Sequence, residues 1–275
     1  MPLLTTTAVP ATEIYYEDVG KGQPVVLIHG WPLSGRMWEG QVNALTDAGY
    51  RCVTYDRRGF GSSGRPAGGY DYDTFASDLR DVVTALDLKD AALAGFSMGG
   101  GEVARYLGRY GDDRIAKAML IAAVPPFLLK TADNPEGLDR AAFDGMLAGV
   151  KRDRIGFLAD FVKLFYDGTP GNPTLSDDLL SYSKSIAWAA SPLGTQQCIT
   201  AFGTTDFRGD LEKISVPVLI AHGDADRIVP FEVSGQRAAK LLKRVRLEVI
   251  KGAPHGLTAT HGPQLNRLML DFLKS

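Results

Sequence analysis

Ala91-Ala92-Leu93-Ala94-Gly95-Phe96-Ser97-Met98-Gly99 is the stretch whose reading decides the fold. At its centre is G-x-S-x-G. An apolar run that reads as a strand precedes the serine, and a segment from Met98 to about Tyr110 that reads as a helix follows it. A serine between strand and helix in this way is a nucleophile elbow. The turn is so tight that a side chain beside it would crowd the backbone, which accounts for glycine at 95 and 99. The turn also lifts the hydroxyl above the sheet edge, at a helix N-terminus whose N–H groups face incoming negative charge.

Such a serine needs an acid and then a base, in the chain order Ser, Asp or Glu, His. The chain has four histidines. His29 and His222 each end an apolar strand, Val25-Val26-Leu27-Ile28 and Val218-Leu219-Ile220-Ala221, and read as structural. His261 reads as a surface or capping residue. His255 follows the strand Leu247–Ile250 and the loop Lys251-Gly252-Ala253-Pro254, where a general base can lean over the elbow. The acid belongs in His222-Gly223-Asp224-Ala225-Asp226-Arg227-Ile228-Val229-Pro230. Asp224 sits where an aspartate commonly bonds its own turn. Asp226 is favoured, because Ile228 and Val229 would shield a carboxylate that fixes the imidazole tautomer.

These stretches, with His29-Gly30-Trp31-Pro32, Tyr55-Asp56-Arg57-Arg58-Gly59-Phe60-Gly61-Ser62-Ser63, Gly95 to Tyr106, Asn134-Pro135-Glu136-Gly137 and Ala253-Pro254-His255-Gly256, make the chain resemble the cofactor-free bacterial haloperoxidase/arylesterase family of the α/β-hydrolase superfamily. The resemblance spans nearly the whole chain. It implies that the second aspartate of the H-G-D-x-D loop, Asp226, is the triad acid, and that no haem, flavin or metal is needed. The oxyanion hole is expected from the backbone N–H groups of Met98 and Trp31. The resemblance further implies that Pro32, next to Trp31, shapes this loop to favour hydrogen peroxide over water as acyl acceptor; the other reading is that it only stiffens the loop.

Alternating strands and helices argue for a mostly parallel sheet covered on both faces, an α/β fold. Strands are expected near Glu13–Tyr16, Val25–His29, Arg51–Tyr55, Ala91–Gly95, Lys117–Ala122, Val218–Ala221 and Leu247–Ile250. Tyr72, Phe75, Leu79, Val82, Val83 and Leu86 have helical spacing, with Asp71 or Asp73 as cap. The alternation stops after Pro125-Pro126. Residues 125–205 read as an inserted helical cap over the sheet's C-terminal edge, and residues 1–124 and 206–275 as the hydrolase core. Most cap aromatics (Phe143, Phe157, Phe161, Phe165, Tyr166, Trp188, Phe202) read as the cap's own core. Trp31, Pro32, Phe127, Ile228 and Val229 are expected to bind substrate.

With 275 residues and 45% hydrophobic content, the chain can bury a full α/β core. A net charge of −2 leaves no basic footprint for nucleic acid. Two cysteines form no disulfide framework, and the N-terminus has no signal-peptide pattern, so a reducing, cytoplasmic setting without membrane contact is expected. Relatives are often multimeric, which implies a homo-oligomer. Gly59-Phe60-Gly61-Ser62-Ser63-Gly64 matches a dinucleotide fingerprint literally, but Arg65-Pro66-Ala67-Gly68-Gly69 continues as loop where that site needs a helix. Arg57 and Arg58 read as structural. The expected chemistry is hydrolysis of aryl or short-chain esters through an acyl-serine. Peracid forms when peroxide replaces water. The same triad would serve a lactamase or lactone hydrolase. From a different class, the fold could be a non-catalytic binding protein.

Overall fold

The computed structural model describes residues 2–167 and 175–275. Among them are eight strands: β1 Leu3–Thr5, β2 Glu13–Gly20, β3 Pro24–Ile28, β4 Arg51–Tyr55, β5 Ala91–Phe96, β6 Ile115–Ile121, β7 Val218–Gly223 and β8 Val245–Ile250. The helices are α1 Glu39–Asp47, α2 Tyr72–Ala85, α3 Met98–Tyr110, α4 Arg140–Arg152, α5 Arg154–Tyr166, α6 Asp177–Trp188, α7 Pro192–Thr204, α8 Arg208–Leu211, α9 Gly235–Leu241, α10 Leu257–Thr260 and α11 Gly262–Lys274.

The strands form one sheet in the order β1-β2-β4-β3-β5-β6-β7-β8. The first two pairings are antiparallel and the rest parallel. The expected α/β-hydrolase fold is therefore present. β3 and β5 are apolar from end to end and fully buried, as parallel strands covered on both faces must be. Each such Val, Leu or Ile side chain contributes about 1.5–3 kcal/mol.

All seven expected strands occur, Arg51–Tyr55 with the expected ends and the other six with shifted ones. β2 runs on to Gly20 because its polar residues pair with β4, Glu17 with Thr54 and Asp18 with Val53, on the solvent side. β1 was not expected. It is a short edge strand with no apolar alternation, and only its pairing to β2 defines it. Helix α2 is capped by Asp71 rather than Asp73: its carboxylate accepts from Thr74 N at 2.9 Å, a contact worth about 1 kcal/mol.

The topology places the site. The chain leaves β3 for β4 on one side and later returns past it to β5 on the other. At such a reversal the loops beyond the carboxyl ends part and leave a crevice. His29 to Leu33 follow β3 there, and Ser97 follows β5. Helices α4 to α7 are inserted between β6 and β7, over that crevice. The expected cap, 125–205, includes residues 168–174, which lie outside the described residues.

Candidate active site

Ser97 has φ +53° and ψ −118°, a left-handed conformation that non-glycine residues rarely adopt. The neighbourhood imposes it. Ser97 N donates to Ile121 O at 2.9 Å, and Ser97 O accepts from Val124 N at 3.2 Å, so both of its peptide groups are tied to β6 and the loop after it. A Cβ at Gly95 would run into the Gly99 carbonyl, and one at Gly99 into the Ile28 carbonyl. Both glycines are needed for strand, turn and helix to close on one another.

Ser97 Oγ lies 2.9 Å from His255 Nε2, and His255 Nδ1 lies 2.6 Å from Asp226 Oδ2. The three side chains come from three different loops, after β5, β8 and β7, and all are buried. The other carboxylate oxygen, Asp226 Oδ1, accepts from Ile228 N at 2.9 Å and Val229 N at 2.8 Å. Burial acts to raise the Asp226 pKa. The charge of His255 and the hydrogen bonds from His222 and His255 act more strongly and hold it far below the usual carboxylate range. Asp224 does not bond its own turn as expected: its carboxylate accepts from Gly252 N and ties the loop after β7 to the loop after β8.

His255 is held on its ring faces as well. Phe96 packs at 5.0 Å and Phe165 at 4.9 Å, the latter edge-on. Gly256 N donates to Phe165 O at 2.7 Å, tying the His255 loop to the end of α5. Burial, then the charge of Arg57, push His29 well below the ordinary histidine value. It stays neutral, with Nδ1–H donating to Gly30 O at 2.9 Å and Nε2 accepting from Arg57 N at 2.9 Å. It is a brace for the loop after β3. His222 is structural too, but it touches the site: its Nε2 lies 2.8 Å from Val229 O and 3.3 Å from Asp226 Oδ2. His261 stands at the N-cap of α11. Arg57 pairs with Glu102 at 2.7 Å and Arg58 with Asp78 at 2.6 Å, all four fully buried.

Gly30 presses on the elbow, since a Cβ there would meet the Phe96 ring and lie 3.0 Å from Ser97 Cβ. The next residue, Trp31, faces the same cavity as Ser97. Its indole N–H donates to Thr195 O at 3.1 Å, which leaves the ring fixed against α7. The Trp31–Pro32 peptide is cis. Met98 opens α3, so its N–H is one of the helix's unpaired donors.

A cavity of about 630 Å³ opens above Ser97. Trp31, Val124 and Ile228 to Pro230 wall it from the core side, and α4, α5 and α7 close it with Phe143, Met146, Phe157, Phe161 and Phe202. Three of the expected substrate contacts, Trp31, Ile228 and Val229, are on this wall. Two are not. Pro32 is buried and does not line the cavity. Phe127 lies under the Arg208 guanidinium, 5.4 Å from its ring, while its neighbour Leu128 reaches the cavity. The reading of the cap aromatics as mostly internal core is also corrected, because four of them face the cavity. Phe157, Phe161 and Leu164 recur at i, i+4 and i+7 on α5, and that stripe was the available signal.

A family model described as alpha/beta hydrolase fold matches residues 23–261. The chain is 43% identical to a non-heme chloroperoxidase of Kitasatospora aureofaciens, over 99% of each chain. It is 39% identical to a bifunctional esterase/perhydrolase of Acinetobacter calcoaceticus, over 98% of this chain and 99% of that one. The crystal structure of bromoperoxidase from Bacillus anthracis superposes with a TM-score of 0.95 at 52% identity, covering all of both chains. The fold, the matched family model and these full-length likenesses agree: this chain belongs to the α/β-hydrolase fold family and, within it, to the bacterial non-heme haloperoxidases.

Proposed function

We propose that this chain is a serine esterase that also forms peracids. The observation that carries the reading is the relay Ser97 Oγ–His255 Nε2–His255 Nδ1–Asp226 at 2.9 and 2.6 Å, at the base of an apolar cavity. Ser97 attacks the ester carbonyl as His255 takes its proton. Asp226 holds the imidazole tautomer and stabilises the imidazolium. The N–H groups of Trp31 and Met98 bind the tetrahedral oxyanion. His255 returns the proton to the leaving alcohol or phenol. Water then releases the acid from the acyl-serine. When hydrogen peroxide attacks instead, the product is a peracid, which oxidises halide away from the enzyme. A relative named as an esterase/perhydrolase supports both acceptors.

In the same reading residues 1–124 and 206–275 are the catalytic core and 125–205 a cap that supplies the apolar wall. The substrate is a small ester or carboxylic acid, with water or peroxide as second reactant. A cytoplasmic setting is supported by two free, buried cysteines, Cys52 and Cys198, whose thiols burial pushes up to about 12. Among the described residues no helix is long and apolar enough to cross a membrane. The chain works as a homo-oligomer.

The test is a paired assay of wild type and Ser97→Ala, with p-nitrophenyl acetate in one arm and acetic acid with hydrogen peroxide in the other. Both activities are expected in wild type and neither in the variant. Ester hydrolysis without peracid above the variant's background would remove the perhydrolase half. No activity in either arm, and no fluorophosphonate labelling of Ser97, would overturn the whole reading.

A further inference from the structure

A second cavity, of about 360 Å³, opens where α6 of the cap meets the segment 33–41 and the α10–α11 pair of the core. It shares no lining residue with the cavity above Ser97. Its walls come close to the catalytic base all the same. Thr258, three residues beyond His255, is one of them. Tyr166 is another, its ring packed edge-on at 4.9 Å against the Phe165 that holds His255. The apolar part of the wall is Leu33, Met37, Leu179 and Ile186. An apolar cavity of about 150 Å³ already admits benzene, so a ring with substituents fits here.

One polar group in the wall is left over. Gln41 is 1% exposed. Its Nε2 donates to Thr258 O and to Asn266 Oδ1, both at 3.0 Å. The amide cannot be turned round, because a backbone carbonyl only accepts and Asn266 Nδ2 already donates to Gly40 O at 3.2 Å. The Gln41 carbonyl oxygen is therefore the free end, and it has no hydrogen-bond partner among the described residues. A buried acceptor without a donor carries its desolvation penalty in full. The other hydroxyls of the wall are engaged. Tyr166 pairs with Ser183 at 3.0 Å, and Tyr182 donates to Glu39 at 2.7 Å. Arg36 also bears on the Tyr182 hydroxyl, so the wall holds one charge of each sign.

We propose that this cavity is a second binding site, for a small neutral phenol whose hydroxyl donates to Gln41 Oε1 and whose ring lies among Leu33, Met37, Leu179 and Ile186. The unmet group is an acceptor, so the ligand must bring a donor. An anion would face Glu39 and a cation Arg36, so a neutral molecule is favoured over either. A phenol is a stronger donor than an aliphatic alcohol, and its ring buries more apolar area for the one polar group it carries. Pockets of this kind, apolar with a few placed polar groups, are the usual form of small-molecule sites.

Titration with phenol, followed by proton–nitrogen correlation NMR, tests this. The side-chain amides of Gln41 and Asn266 report on this cavity, and the indole N–H of Trp31 reports on the cavity above Ser97. The two amides are expected to shift with a dissociation constant of about 1 mM or tighter, the range open to so small a ligand. Ile186→Trp fills the cavity from α6 and is expected to weaken that binding about tenfold or more. Gln41→Leu removes the acceptor at similar volume and is expected to weaken it about fivefold, read from Asn266. Circular dichroism checks that each variant folds, and Ile186→Trp decides alone if Gln41→Leu does not. Shifts confined to Trp31, no shifts at all, or an affinity unmoved by Ile186→Trp would overturn the site. Full affinity in a folded Gln41→Leu would overturn the hydrogen bond and with it the choice of a donor ligand.

Discussion

Two buried carboxylates lie on either side of the elbow. The side chains of Asp226, in the loop after β7, and Glu102, on α3, are both sealed from solvent. Glu102 is held by Arg57 at 2.7 Å and by the Tyr55 hydroxyl. Asp226 is held by His255 at 2.6 Å and by two backbone N–H groups. Their proton affinities diverge. Burial lifts the Glu102 carboxyl above its ordinary value in spite of Arg57, whereas Asp226 is driven below. The larger difference is where each network leads. From Glu102 the contacts run to Arg57, which lies against the Phe75 ring, and to other core groups. From Asp226 they run through His255 to a hydroxyl that faces a cavity. Perturbed titration marks both places, but only an open end lets a reacting carbonyl reach one of them.

The strongest attempt to break this contrast is at the open end. Ser97→Ala should lower ester turnover by about 10⁶-fold, with thermal stability close to wild type, since the hydroxyl's own hydrogen bond is with His255. Retained turnover would move the nucleophile elsewhere. Asp226→Asn should cost about 10⁴-fold in kcat, because an amide cannot enforce the required imidazole tautomer. A loss confined to KM would count against that role.

On the closed side the effect should appear in folding. Among the described residues, Asp78→Ala leaves Arg58 buried with only Pro10 O as partner. It should destabilise the fold by about 3–5 kcal/mol, with kcat per folded molecule nearly unchanged. Urea unfolding beside active-site titration separates the two quantities, and a fall in kcat at constant stability would mean that this network serves catalysis.

A smaller effect comes from acid. The folded pKa of Asp226 lies below its unfolded value, so its contribution to stability is fully present above about pH 4 and is lost as pH falls toward the folded value. The stability margin of wild type over Asp226→Asn should therefore shrink on acidification below that point. A margin constant with pH would show that Asp226 is not held as an anion. The smallest effect is expected at His222→Gln. One hydrogen bond to Asp226, at 3.3 Å, is worth about 1 kcal/mol. A fall in kcat of about fivefold with KM unchanged would assign His222 a positioning role. No change would leave it a strand-end brace.

Most of the contrast was legible in the chain. G-x-S-x-G between strand and helix, H-G-D-x-D after an apolar run, and His255 after the last strand each carry their position locally: where the apolar run ends, the loop and its polar residue begin. Backbone sterics at Gly95 and Gly99 and the continuous apolar runs of β3, β5 and β7 act over a few residues, so a sequence displays them. The partners of Arg57 and Arg58 were not legible in this way, because Glu102 on α3 and Asp78 on α2 reach them only after those helices pack against the sheet. Nor was the contact of His222 with Asp226, which depends on how the loop after β7 folds back.

By itself, then, the sequence determined the α/β-hydrolase fold, the order of its strands along the chain and the three residues offered as the triad. Tertiary structure decided which face of each inserted helix meets the cavity, turning Phe143, Phe157, Phe161 and Phe202 toward it and Phe127 away. It also decided that β8 ends the sheet with Val245, Leu247 and Val249 part-exposed. The physical reason is one of range. Elements follow from local sterics and periodicity, whereas cavities and free edges exist only where several elements pack, and no single segment encodes its neighbours.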